Sequence, residues 1–117
     1  MHEIRYFAEG IREELDDAEK YAREAVKRTE DSPEDASTYA DLSRQELGHA
    51  NKLYEMAARH IEKAKDAGLH PTEAEQAVWD WEHERMLDRT AHVKTLLSMM
   101  YTLKKHPRQT ARVFSQL

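Results

Sequence analysis

The 117-residue chain contains no cysteine, only 3 glycines and 3 prolines, and no acidic residue after Asp88. The lack of cysteine excludes a disulfide scaffold, a Cys-ligated zinc site, an iron–sulfur cluster and a thiol nucleophile. His, Asp and Glu are then the only metal ligands left. No Gly-rich phosphate loop, zinc-protease motif or serine nucleophile constellation is present. No apolar run approaches the roughly 20 residues of a membrane span. The start, Met1-His2-Glu3-Ile4-Arg5, has neither the basic nor the apolar region of a signal peptide. The expectation is a soluble, cytoplasmic protein. Apolar residues are also in short supply, at 39% against 35% charged, where about 25% charged is usual. One domain at most is expected, with self-association supplementing a thin core.

The missing acids make the charge polar along the chain. Residues 1–88 hold all 23 acidic residues against 12 Lys and Arg, a net of −11, while Arg89, Lys94, Lys104, Lys105, Arg108 and Arg112 give the remainder +6. Such polarity suits head-to-tail self-contact or an anionic partner for the basic tail, and its plainest role is solvation. Nucleic-acid binding is disfavoured, because aromatics interleave poorly with these charges and the acidic remainder repels phosphate.

What is present is helical periodicity. Ile4, Phe7, Ala8, Ile11, Leu15, Ala18, Ala22, Ala25 and Val26 recur at helical spacing over about residues 3–30. Ser32 as N-cap, Pro33 at the first helical position and the acids Glu34 and Asp35 start a second helix over about 33–67. Gly68 suits a helix C-terminus, and Thr72 with Glu75 has the spacing of a capping box that opens a third helix over about 72–105. Pro107 then stops it. Short loops make the three long helices antiparallel neighbours. The expected fold is an all-α antiparallel bundle of three long helices spanning residues 1–105, with a basic tail over 106–117 in which Val113, Phe114 and Leu117 could dock on a partner or simply fray.

The second helix carries the informative polar residues. A heptad-like seam runs through Tyr39, Leu42, Glu46, His49, Leu53, Met56 and His60. A buried carboxylate must be protonated, paired or bound to a cation. Glu46-x-x-His49 offers an oxygen and an imidazole nitrogen to one ion from a single helix face. For a turn centred near Ser32, Glu19 stands level with Glu46, so Glu19, Glu46 and His49 form the candidate metal set. The competing reading is a hydrogen-bonded or ion-paired rim. Tyr21 and Tyr39 lie close to the same layer.

The stretch Tyr39 to Tyr54, with its E-x-x-H-A at Glu46 to Ala50, resembles the second helix of the ferritin-like superfamily, its rubrerythrin-type members in particular. Glu19 matches the bridging Glu of the first helix. The resemblance covers about residues 4–65. A full ferritin-like protomer has four core helices, whereas this chain has three. It is more similar to the encapsulated ferritins, in which two short protomers complete one four-helix core and its di-iron site. The resemblance implies iron, or another divalent metal such as Mn or Zn, held across a homo-oligomer. It also implies ferroxidase-type oxidation of Fe(II) by dioxygen, with peroxide reduction the nearby chemistry.

The third helix contains a second echo. Asp80-Trp81-Glu82-His83 repeats an acid followed by His three residues on, which makes Asp80 and His83 secondary metal candidates. About a turn near Leu69 they fall level with residues 56–59, roughly 15 Å from Glu46. They could join the main site only across a subunit boundary or through a different helix arrangement, and otherwise form a polar cluster with His60. Trp79, Met86, Val93 and Met100, flanked by Leu96 and Leu103, read as a packing row, with Glu82 and Arg89 pairing at its rim. The rival to a metal protein is a non-catalytic structural or adaptor bundle of an oligomeric assembly, for example of phage origin.

Overall fold

A computed structural model describes the backbone of residues 2–105 and the side chains of residues 4–105. The basic tail and Pro107 lie outside the described residues. The chain folds into α1 (His2–Arg28), α2 (Pro33–Asp66) and α3 (Glu73–Lys105), with no strand among the described residues. The bundle is long and flat, 59 × 25 × 17 Å. α1 is the central helix: it packs most extensively on the antiparallel α2 and less on α3, whereas α2 and α3 share little.

Local chemistry sets the ends. α1 stops at Arg28, where the Thr29 hydroxyl donates to the Ala25 carbonyl at 2.7 Å and the Ser32 N–H returns to the Arg28 carbonyl at 2.8 Å. Ser32 occupies the N-cap of α2 with Pro33 behind it, but its side chain makes no capping bond. α2 closes with Leu69 N–H on the Ala64 carbonyl and Gly68 N–H on that of Lys65, both shorter than 3.0 Å. This is a Schellman motif, and Gly68 takes the left-handed φ of 82° that its C′ position demands. The Thr72–Glu75 capping box forms in both directions, at 3.1 and 2.8 Å.

The seam between α1 and α2 differs from the expected one. On α2 the buried residues are Ala36, Ala40, Ser43, Ala50, Ala57 and Ile61, spaced by threes and fours or their sums. Near the hairpin turn Ala25 packs on Ala36 and Ala40 and Ala18 meets Ser43, while farther from it Ile11 and Leu15 pack on Ala50, and Ile4 and Phe7 on Ala57 and Ile61. Small residues let the two backbones approach closely, so they occupy the centre of the contact. The larger stripe of Tyr39, Leu42, Glu46, His49, Leu53 and Met56 is rotated onto one flank of the hairpin, half-buried or exposed. On α3 the row Trp79, Met86, Val93, Leu96, Met100 and Leu103 is buried, and Leu47, Tyr54 and Val26 pack against its clusters.

Candidate metal centre

The antiparallel register fixes which carboxylates meet. Ser43 Oγ donates to the Ala18 carbonyl at 2.7 Å, so these two residues stand level and the hairpin turn centres between Glu30 and Asp31. That is earlier than the Ser32 centre assumed from sequence. The level partner of the Glu46–His49 motif accordingly moves toward the start of α1, and Glu14 takes the place expected for Glu19.

Donor atoms of Glu14, Glu46 and His49 all lie within 4.8 Å of one another. His49 Nδ1 is 3.5 Å from Glu14 Oε2 and 3.7 Å from Glu46 Oε2. Metal–ligand bonds of about 2.0–2.2 Å place two donors on one ion roughly 3–4 Å apart; the two distances from His49 lie in that range, and the group could hold a metal ion. The side chains are 28%, 19% and 54% exposed in the same order. The donor set is two hard oxygens and one imidazole nitrogen, which suits iron, manganese or zinc.

Five residues along a helix is about 7.5 Å of rise and 140° of rotation, so Glu19 and Glu14 project from opposite flanks of α1. Glu19 faces α3: its carboxylate is 3.4 Å from Arg23 Nε and 3.6 Å from His92 Nε2. It is not brought to Glu46. Arg12 and Asp16 face α3 as well, with Arg12 3.6 Å from Glu82 and Arg89 Nη2 2.6 Å from Asp16. Glu82 and Arg89 therefore pair at the rim, each with a partner on α1. The Glu14–Glu46–His49 cluster sits on the other flank of the hairpin, which α3 leaves uncovered.

Asp80 and His83 join no group of metal-ligating side chains among the described residues. Asp80 accepts from Gln76 Nε2 at 2.9 Å. His83 Nδ1 lies 3.3 Å from the Tyr54 hydroxyl, and the Tyr54 ring stacks on Trp79 with a 5.4 Å centroid separation and 7° between planes. His60 is elsewhere, its ring 5.3 Å from that of Phe7. Tyr21 and Tyr39 meet at 6.1 Å, with the Arg28 guanidinium 5.3 Å from the Tyr39 ring centroid.

Sequence reasoning missed Glu14. The signal that finds it is the small-residue seam: aligning Ala18 and Ala22 with Ser43 and Ala40 sets the register before any ligand is assumed. Comparison with protein-family models, curated proteins and solved structures yields no match. The functional reading therefore rests on this geometry and on the motif in α2.

Proposed function

We propose that the protein is a ferritin-like metal-binding protein in which Glu14, Glu46 and His49 hold a divalent cation, iron foremost. The single observation that carries this reading is the convergence of three donor atoms from two helices within 4.8 Å of one another. Two carboxylates supply anionic oxygens that favour a ferric over a ferrous ion, and the imidazole adds a neutral nitrogen donor. A bound Fe(II) ion would supply electrons to dioxygen. The chain's own part is to hold the ion and neutralise its charge.

Three protein donors on an uncovered flank make half of a dinuclear carboxylate set. A second copy docked on this flank about a two-fold axis would contribute the same three groups. It would also cover the half-buried stripe of Tyr39, Leu42 and Leu53. Metal binding and self-association on this flank are thus coupled.

The test is metal content and association state of the full chain after anaerobic Fe(II) loading, wild type beside Glu46→Ala. Binding by wild type alone, with metal-dependent association, is the expected result. Equal occupancy in the two, or none in either, ends the metal reading. The same cluster can be satisfied without an ion, by the contacts of His49 Nδ1 with the two carboxylates at 3.5 and 3.7 Å. An unoccupied wild type would favour that arrangement and a structural or adaptor bundle.

A further inference from the structure

We propose that the outer face of α3 is a self-association surface on which a second copy lays its own α3 antiparallel, about a two-fold axis near position 89. This contact uses a helix that contributes nothing to the Glu14–Glu46–His49 cluster and does not rest on the metal reading.

The evidence is a second heptad row on α3, distinct from the buried one. Ala77, Asp80, Glu84, Leu87, Ala91, Lys94, Ser98 and Tyr101 follow one another in steps of three and four, and all are exposed. Leu87 and Tyr101 are 54% and 59% exposed. α3 therefore sets Leu87 and Tyr101, with Ala77 and Ala91, among charged residues on the face opposite its buried row. A solvated helix ordinarily keeps its outer face polar throughout.

Charge on this row and beside it is unbalanced within the chain. Asp80, Glu84 and Asp88 succeed one another at i, i+4 spacing, a mutually repulsive arrangement. The arginines beside them are engaged elsewhere: Arg89 is on Asp16 at 2.6 Å, and the Arg85 guanidinium lies 4.9 Å from the Trp81 ring centroid. Lys94 has no acid within reach along its helix, because none follows Asp88. Neither Glu84 nor Lys94 has an ion-pair partner among the described residues.

Antiparallel pairing of two such rows resolves every layer at one register. Glu84 meets Lys94 of the second copy and Lys94 meets its Glu84. Leu87 meets Ala91, Ala77 meets Tyr101, and Asp80 meets Ser98. In a parallel pair each residue would face itself, setting Glu84 on Glu84 and Lys94 on Lys94. The acid-then-base polarity of α3 thus selects a second copy in antiparallel orientation over a parallel one, as flanking charges do in coiled coils.

The experiment is sedimentation equilibrium of the full chain in chelator at low ionic strength, which removes any metal-driven association. Wild type is expected to dimerise. Glu84→Lys and Lys94→Glu, which each place like charges in two symmetry-related layers, are expected to weaken the dimer about tenfold or more. Glu84→Lys/Lys94→Glu together restore it. Because the chain has no native cysteine, register is read independently: mixed Leu87→Cys and Ala91→Cys chains should cross-link to each other faster than either does to itself. A chain that stays monomeric in chelator overturns the proposal. So do single reversals without effect, a double reversal that fails to rescue, or Leu87→Cys self-cross-linking as the dominant product.

Discussion

Ser43 Oγ donates a 2.7 Å hydrogen bond to the carbonyl oxygen of Ala18 across the contact between α1 and α2, at a position with no solvent exposure. The bond is possible because both residues are small enough for the helix backbones to approach. Removing it by Ser43→Ala keeps the close approach and should cost about 0.5–1.5 kcal/mol. Ala18→Leu forces the helices apart and should cost about 1–3 kcal/mol or more. Urea denaturation with an unchanged m value checks both. A Ser43→Ala variant less stable than Ala18→Leu would show that the hydrogen bond, and not the close packing, governs this contact.

The same register places Glu14, and not Glu19, beside Glu46 and His49. Glu14→Ala should therefore lower divalent-metal affinity by at least the roughly 10–100-fold typical of losing a supporting group at a metal site. Glu19→Ala should leave it unchanged, since that carboxylate faces Arg23 and His92 on the flank of α3. Titration calorimetry with Zn(II) or Mn(II) separates the two without oxidation chemistry. Loss of binding in Glu19→Ala with retention in Glu14→Ala would reverse the assignment.

These two residues show what was readable before the structure. Helix number and placement follow from rules local to a few residues: Pro33, the Thr72–Glu75 box and Gly68 each act on backbone within a few positions, and each is where the spacing predicts. Burial along α1 and the Trp79 row of α3 is equally legible, because apolar residues recur there at helical spacing. α2 is different. Apart from Ile61 its seam is built of Ala and Ser, and the bulkier stripe beside it carries the stronger periodic signal. A rotation of the seam by one position, with a turn centre shifted by about two residues, is enough to exchange Glu19 for Glu14. Ser32 shows the same limit in miniature: it holds the N-cap position while its hydroxyl makes no capping bond.

Gly48 lies in the interior of α2, is exposed, and a β-carbon built on it meets nothing within 4 Å. Gly48→Ala should stabilise the protein by about 0.5–1 kcal/mol through the lower backbone entropy of the unfolded chain and better helix propensity. Gly10 of α1 differs, because its β-carbon would come within 3.2 Å of Leu53 Cδ1. Leu53 is half-buried on the uncovered flank and its terminal methyl can shift, so Gly10→Ala should gain less than Gly48→Ala. Thermal unfolding of the two variants side by side checks the order. A destabilised Gly48→Ala would mean that this face is covered by something a methyl group disturbs.

Trp79 is one of the few side chains that join α3 to α2. Its ring is 9% exposed and stacks on Tyr54 of α2 at 5.4 Å, and the Tyr54 hydroxyl reaches His83 one turn further along α3. Trp79→Ala removes a large buried ring and should cost about 3–5 kcal/mol. Tyr54→Phe keeps the stack and loses only the contact with His83, a cost of about 0.5–1.5 kcal/mol. Because α1 packs on both neighbours, the damage in Trp79→Ala should concentrate in the first half of α3, seen as faster amide exchange there than in α1 or in the Ala18–Ser43 segment. Divalent-metal affinity should be unaffected by His83→Ala, since His83 belongs to this stack and contacts none of Glu14, Glu46 and His49. A marked loss of affinity in His83→Ala would place the third helix in the metal centre after all, and would require a second chain to bring it there.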